Sequence, residues 1–219
     1  MTVVAVDGPV GSGKSTVARR VADRLGYVYL DTGAMYRAVG LLATEAGVDL
    51  SDEAAVVPVA RDARLRFDGD GRLWAGDRDV SDRIRTLEIG GAASVVSVLP
   101  GVRRLLVERQ RELGAGADIV MAGRDIGTNV FPDADVKVFL TARPEVRAAR
   151  RAAELRAKGE DVDEAEVLAA LVERDRRDSE RVVAPLRKAA DAVEVDTTGL
   201  TLEEVVDTVV RVAREKVPS

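Results

Sequence analysis

Gly8-Pro9-Val10-Gly11-Ser12-Gly13-Lys14-Ser15 decides the fold. It satisfies G-x-x-x-x-G-K-[ST], the phosphate-cradling P-loop, at every fixed position. The flanks agree with it. Val3-Val4-Ala5-Val6 is apolar and largely β-branched, the composition of a strand buried on both faces. Beyond the loop, Val17, Val21, Ala22 and Leu25 recur at helical spacing, and Gly26 follows as a helix C-cap. Strand, glycine loop and helix therefore arrive in the order that the motif requires.

The chemistry follows from that order. Glycines allow successive backbone N–H groups to turn inward around a polyphosphate, and the new helix adds the positive end of its dipole. Gly8 through Thr16 are thus expected to hold the triphosphate of a nucleotide, ATP in a kinase. Lys14 is expected at the β- and γ-phosphates, as a catalytic charge. The Ser15 hydroxyl is expected on Mg²⁺. A glycine-rich turn that binds nothing would not need both flanks to be correct.

Composition narrows the rest. A chain of 219 residues can bury a full core, and 46% apolar with 32% charged residues reads as soluble and globular. A net charge of −5 argues against a general nucleic-acid-binding surface. Cysteine and histidine are both absent, which removes disulfides, thiolate catalysis, cysteine-ligated zinc and the commonest general base. A base would have to be a carboxylate, and a metal would have to be a hard ion held by oxygens. Met1 leads straight into the first strand, and no stretch reaches the roughly 20 apolar residues of a membrane span. The cytoplasm, with no membrane partner, is the expectation. Lysine occurs only at Lys14, Lys137, Lys158, Lys188 and Lys216, so arginine carries most of the positive charge.

Outward from the loop, Tyr27–Leu30 reads as a second strand, followed by helices over Ala34–Ala46 and Glu53–Ala63. The character then changes. Leu65, Phe67, the turn Asp68-Gly69-Asp70-Gly71, Leu73, Trp74 and Gly76-Asp77 predict a small antiparallel insertion near residues 64–82. Helices over Ile89–Val98 and Val102–Leu113 follow. Strands are expected at Ile119–Ala122, Val136–Leu140 and Ala192–Val195, with arginine-rich helices over Glu145–Lys158 and Glu164–Arg181 around Gly159-Glu160-Asp161. Thr201-Leu202-Glu203-Glu204 opens the last helix with a capping box. Strands alternating with helices predict an α/β P-loop NTPase fold: a five-stranded parallel sheet with helices on both faces, plus the β insertion and a helical lid.

A P-loop leaves a small-molecule kinase, a GTPase switch or a macromolecule-directed ATPase open. Asp196-Thr197-Thr198-Gly199 fits D-x-x-G, but it follows the last strand and no N-K-x-D guanine reader occurs. An ordinary strand-to-helix turn is the simpler reading. Helicase-like ATPases call for a larger chain and a basic groove. A kinase needs an acceptor site, and ligands in open α/β sheets bind at the carboxyl ends of strands. Asp31-Thr32, Tyr36-Arg37 and Gly123-Arg124-Asp125 stand there. Arg37 and Arg124 suit paired, charge-assisted contacts to an acceptor phosphate.

The motifs together resemble those of bacterial-type cytidylate kinases over essentially the whole chain. The matching stretches are Asp7 to Thr16, Leu30 to Arg37, Gly123 to Thr128, Val130 to Ala134, and Glu173-Arg174-Asp175 through Ala184-Pro185-Leu186. Thr32 replaces the serine of some members and keeps its hydroxyl. The resemblance implies a single P-loop kinase unit over residues 1–219 that transfers the γ-phosphoryl group of ATP to CMP or dCMP. Within it lie a monophosphate-binding region at about 32–115 and a lid at about 147–181, the remainder being core.

Thr32, Arg37 and Arg124, with Tyr36 close by, would contact the acceptor phosphate. Ser94, Arg103 and Asp125 would read cytosine, since a carboxylate suits its N4 donor and an arginine its N3 and O2 acceptors. Arg174, Asp178 and Arg181, spaced i, i+4 and i+7 on one helix face, are assigned to the ribose and its surroundings. Arg147, Arg150, Arg151 and Arg177 would cover the triphosphate, with Arg150 and Arg177 as catalytic charges. Asp31 would accept from a water on the Ser15-bound Mg²⁺. Alternatives to CMP as acceptor are UMP or a shikimate-like metabolite, and a non-enzymatic nucleotide switch is the more distant alternative. The expected state is a monomer.

Overall fold

The computed structural model describes residues 1–69, 71–157 and 159–217. Asp70 of the expected turn and Lys158 at the end of an expected helix lie outside them. In chain order the strands are β1 (Val3–Asp7), β2 (Val28–Asp31), β3 (Leu65–Phe67), β4 (Leu73–Ala75), β5 (Arg78–Asp79), β6 (Ile119–Gly123), β7 (Val136–Thr141) and β8 (Val193–Asp196). The α-helices are α1 (Lys14–Leu25), α2 (Thr32–Glu45), α3 (Glu53–Asp62), α4 (Leu87–Val96), α5 (Pro100–Gly114), α6 (Pro144–Ala157), α7 (Glu164–Glu180) and α8 (Leu202–Lys216). The chain divides into two compact units, one of Met1–Tyr29 with Ala117–Ser219 and the other of Leu30–Gly116.

The first unit is built on a five-stranded sheet of order β2-β6-β1-β7-β8, with β1 parallel to both β6 and β7, and β7 parallel to β8. Every residue of β1 and of β6 is buried, so side chains pointing to either face are covered, as the continuous apolar runs require. On one face Val4, Val6, Val120, Val138 and Leu140 pack against Val17 and Val21 of α1 and against Val205, Val206 and Val209 of α8. Each such burial is worth roughly 1.5–3 kcal/mol. The capping box of α8 forms in both directions between Thr201 and Glu204. Gly26 ends α1 at φ 72 and donates its N–H to the Ala22 carbonyl.

The second unit packs α2 against α4 and α3 against α5, and carries the antiparallel sheet β3-β4-β5 where residues 64–82 predict it. Trp74 donates its indole N–H to Asp68 at 2.7 Å while the Arg66 guanidinium lies 4.7 Å from its ring centre.

Boundaries differ from expectation mainly at helix starts. α2 begins at Thr32 rather than Ala34, and α5 at Pro100 rather than Val102, because proline's fixed φ suits the first helical turn. Periodicity had no handle on the residues after β6: Ile126–Val130 winds into a single π-turn. α7 stops at Glu180, and Arg181 leaves the helix at φ −60, ψ 139. The i, i+7 helix face expected to carry Arg174 and Arg181 together is therefore interrupted at its last member.

Candidate active site

In the first unit the P-loop and the Arg124-Asp125 pair leave the sheet side by side, because Asp7 is in register with Gly123 across the β1–β6 ladder. Gly8, Gly11 and Gly13 all take positive φ, at 154, 74 and 83. At Gly11 a Cβ would lie 2.9 Å from both Cβ and the carbonyl oxygen of Arg147, so the loop is packed onto α6 as well as turned. A Cβ on Gly13 would meet nothing within 4 Å, which leaves the mouth of the cradle open. The Ser12 hydroxyl is buried, at 1% residue exposure, with no hydrogen-bond partner. A buried hydroxyl left unsatisfied in a loop of inward N–H groups suits a polyphosphate ligand. Lys14 is buried and donates from Nζ to the Pro9 carbonyl at 3.0 Å, folded over its own loop. Ser15 follows, half-buried in the first turn of α1, and Thr16 is exposed. These residues fit a metal-bound nucleoside triphosphate.

Asp7, the only charged residue in β1, is the member that the motif does not announce. Its two carboxylate oxygens accept the Ile126 and Gly127 N–H groups, each at 2.8 Å, and so pin the π-turn that follows Asp125. Burial pushes its pKa up to about 6 against those hydrogen bonds. The Asp125 charge adds to the rise, and Lys14 opposes it. The one available signal was a carboxylate ending an otherwise apolar strand.

The acceptor-side residues of this unit form a charged cluster. Arg124 donates from Nε to Asp178 at 2.9 Å, and Arg181 pairs with Asp125 at 3.3 Å. The side chains of Asp178, Arg181 and Asp125 are all under 10% exposed. Burial pushes the Asp178 carboxyl up, but Arg124, Arg174 and Arg181 outweigh it and hold the group below its ordinary range. Asp178 and Arg181 thus form buried pairs, unlike the exposed pairs of Arg176 with Glu173 and Glu180 on α7. Arg181 also donates to the Ala184 carbonyl at 2.5 Å, which explains its departure from the helix.

The arginines expected over the triphosphate separate into distinct environments. Arg150 donates to the hydroxyl and carbonyl oxygens of Thr197, at 2.9 and 2.7 Å. Arg151 pairs with Glu154, and Arg177 stands 3.6 Å from Glu173. Arg147 is buried, bonding to Ala142, Val10 and Asp175. The D-x-x-G stretch is an Asx turn, with Asp196 accepting the Thr198 N–H at 2.9 Å.

In the second unit Thr32 is buried at the start of α2, with Asp31 as the preceding cap residue. Tyr36 and Arg37 are half-buried one turn later. The Arg103 guanidinium, on a residue 2% exposed, lies 5.7 Å from the Tyr36 ring centre and donates to the Ser97 carbonyl at 3.3 Å. Ser94 is buried with its hydroxyl unsatisfied. An aromatic ring, a buried guanidinium and an unsatisfied hydroxyl are suitable walls for a planar polar base.

Fold and cradle together define a P-loop phosphotransferase. Shikimate kinase from Bacteroides thetaiotaomicron shares the fold at a TM-score of 0.50 and 13% identity, over 98% of this chain and 96% of that one. Residues 4–215 match the cytidylate kinase family. The cytidylate kinase of Solibacter usitatus is 47% identical over 98% of this chain and 93% of its own length. That of Geobacillus kaustophilus is 49% identical over 98% and 97%. The chain belongs to the cytidylate kinase family.

Proposed function

We propose that the protein transfers the γ-phosphoryl group of ATP to CMP, and to dCMP, releasing ADP and CDP or dCDP. The observation that carries this reading is that Arg124 and Asp125, which leave the sheet beside the P-loop, pair with Asp178 and Arg181 in a largely buried cluster. Buried charge of that kind is costly for folding alone and useful to an anionic substrate.

In this reading Gly8 to Thr16 hold ATP through backbone N–H groups, and Lys14 swings from the Pro9 carbonyl to the phosphates. The divalent ion is assigned as Mg²⁺, with Ser15 as its ligand and Asp31 as acceptor for one of its waters. When bound it supplies charge neutralisation on the polyphosphate. Arg124 exchanges Asp178 for the acceptor phosphate, and Arg37, Thr32 and Tyr36 take the same phosphate. Asp125 faces the cytosine N4 donor, while Arg103 and Ser94 meet its acceptor edge. Uracil would set O4 against the Asp125 carboxylate. Arg174, Asp178 and Arg181 receive the ribose, and Arg150 and Arg177 supply positive charge to the transferring group. The CMP phosphate is itself the nucleophile, so no general base is needed.

The unit Leu30–Gly116 is accordingly assigned to the monophosphate, and residues 147–181 to a lid. Among the described residues no single helix is long and apolar enough to cross a membrane. We assign the protein to the cytoplasm as a monomer, with no membrane or nucleic-acid partner. A panel of CMP, dCMP, UMP and shikimate in a coupled ADP-release assay tests the function. CMP and dCMP should be phosphorylated far faster than the others. Preferred turnover of UMP or shikimate would overturn the assignment, as would guanine-selective binding without any acceptor.

A further inference from the structure

Arg147 and Asp175 lie within the segment assigned to the lid, and their contacts tie the phosphate loop to the helix that carries Asp178. Arg147 is 5% exposed, on α6, and its guanidinium makes three hydrogen bonds: Nε donates to the Ala142 carbonyl at 2.9 Å, and one terminal nitrogen donates to the Val10 carbonyl at 3.0 Å and to Asp175 at 2.6 Å. Val10 is the middle of the phosphate loop, and the next residue, Gly11, is pressed on the Arg147 backbone. Asp175 and Asp178 are three residues apart on α7 and so stand as neighbours on one helix face. One of them holds the loop through Arg147, and the other holds Arg124. The second carboxylate oxygen of Asp175, Oδ1, is buried without a hydrogen-bond partner. The pair is therefore incompletely satisfied as it stands.

We propose that Arg147 and Asp175 are positioning residues that couple occupancy of the acceptor side to the conformation of the phosphate loop. The inference rests on the assignment of Arg124 and Asp178 to the acceptor. An acceptor phosphate competes with Asp178 for the Arg124 guanidinium, so its arrival alters the hold on α7. Asp175 travels on the same rigid turn, and Arg147 passes the change to the Val10 carbonyl. Coupling of this kind is reciprocal: whatever factor ATP imposes on CMP affinity, CMP must impose on ATP.

Calorimetric titration of CMP with and without a non-hydrolysable ATP analogue, and the reverse, measures that factor. In the wild type the analogue should tighten CMP binding about fivefold or more, within the usual range for coupled sites. In Asp175→Asn the factor should fall below twofold, with CMP affinity in the absence of analogue little changed. Arg147→Lys keeps the charge but loses the planar fork, and should lose the coupling in the same way. It serves as the second variant if Asp175→Asn does not fold by circular dichroism. Wild-type coupling retained in either folded variant, or absent from the wild type, would overturn the inference. A wild type that binds no CMP would instead overturn the kinase assignment beneath it.

Discussion

Asp7 shows how far a single residue's environment can depart from its chemical type. Its carboxyl is pushed up to about 6 from the ordinary 3.8, chiefly by burial. The folded pKa lies above the unfolded one, so the neutral form is favoured by folding. That contribution is complete below pH 3.8 and is lost as pH rises through 6. At about 1.4 kcal/mol per pKa unit, the ionised group costs the fold roughly 3 kcal/mol at neutral pH, net of the two N–H groups it anchors. Carboxyl ¹³C shifts should place its titration midpoint near pH 6, and a midpoint near 4 would contradict its burial. Lys14 makes the complementary case: it is buried, and its ammonium donates to the carbonyl of Pro9 in its own loop. Lys14→Ala should keep its circular dichroism spectrum and lose kcat by roughly 100- to 1,000-fold, the usual effect of deleting one charge-stabilising donor. Turnover near the wild-type rate would remove Lys14 from the mechanism.

Elements owe their ends to local chemistry and their positions to packing. α8 has both: a reciprocal capping box at Thr201 and Glu204, and a valine face seated on the sheet. Thr201→Ala leaves that face intact and removes the N-terminal hydrogen bond, so a loss of about 1 kcal/mol in urea unfolding is expected, with activity unchanged. A loss near zero would mean that packing alone sets the start of the helix. α7 is different. Its sequence periodicity continues through Arg181, but the pull of Asp125 and the Ala184 carbonyl on that guanidinium ends the helix at Glu180.

For the whole molecule, ligands that bind only the folded state must stabilise it. CMP at a hundred times its dissociation constant should add about 2.7 kcal/mol, read as a higher thermal midpoint, and an ATP analogue should do the same. Shikimate should leave the midpoint unmoved; a shift with shikimate and none with CMP would redirect the search for the acceptor.

The sequence by itself determined the P-loop, the order of strands and helices, the β insertion and the family, because each is written in local signals: glycine spacing, β-branched runs, helical periodicity and turn residues. It also named Arg124, Asp125, Asp178 and Arg181 as candidates. Only the tertiary structure decided that these four pair with one another, that Asp7 anchors the turn after Asp125, and that Arg147 grips Val10. Those contacts join residues far apart in the chain. Their energies depend on burial and on the register of β1 against β6, which no local pattern of residue types encodes.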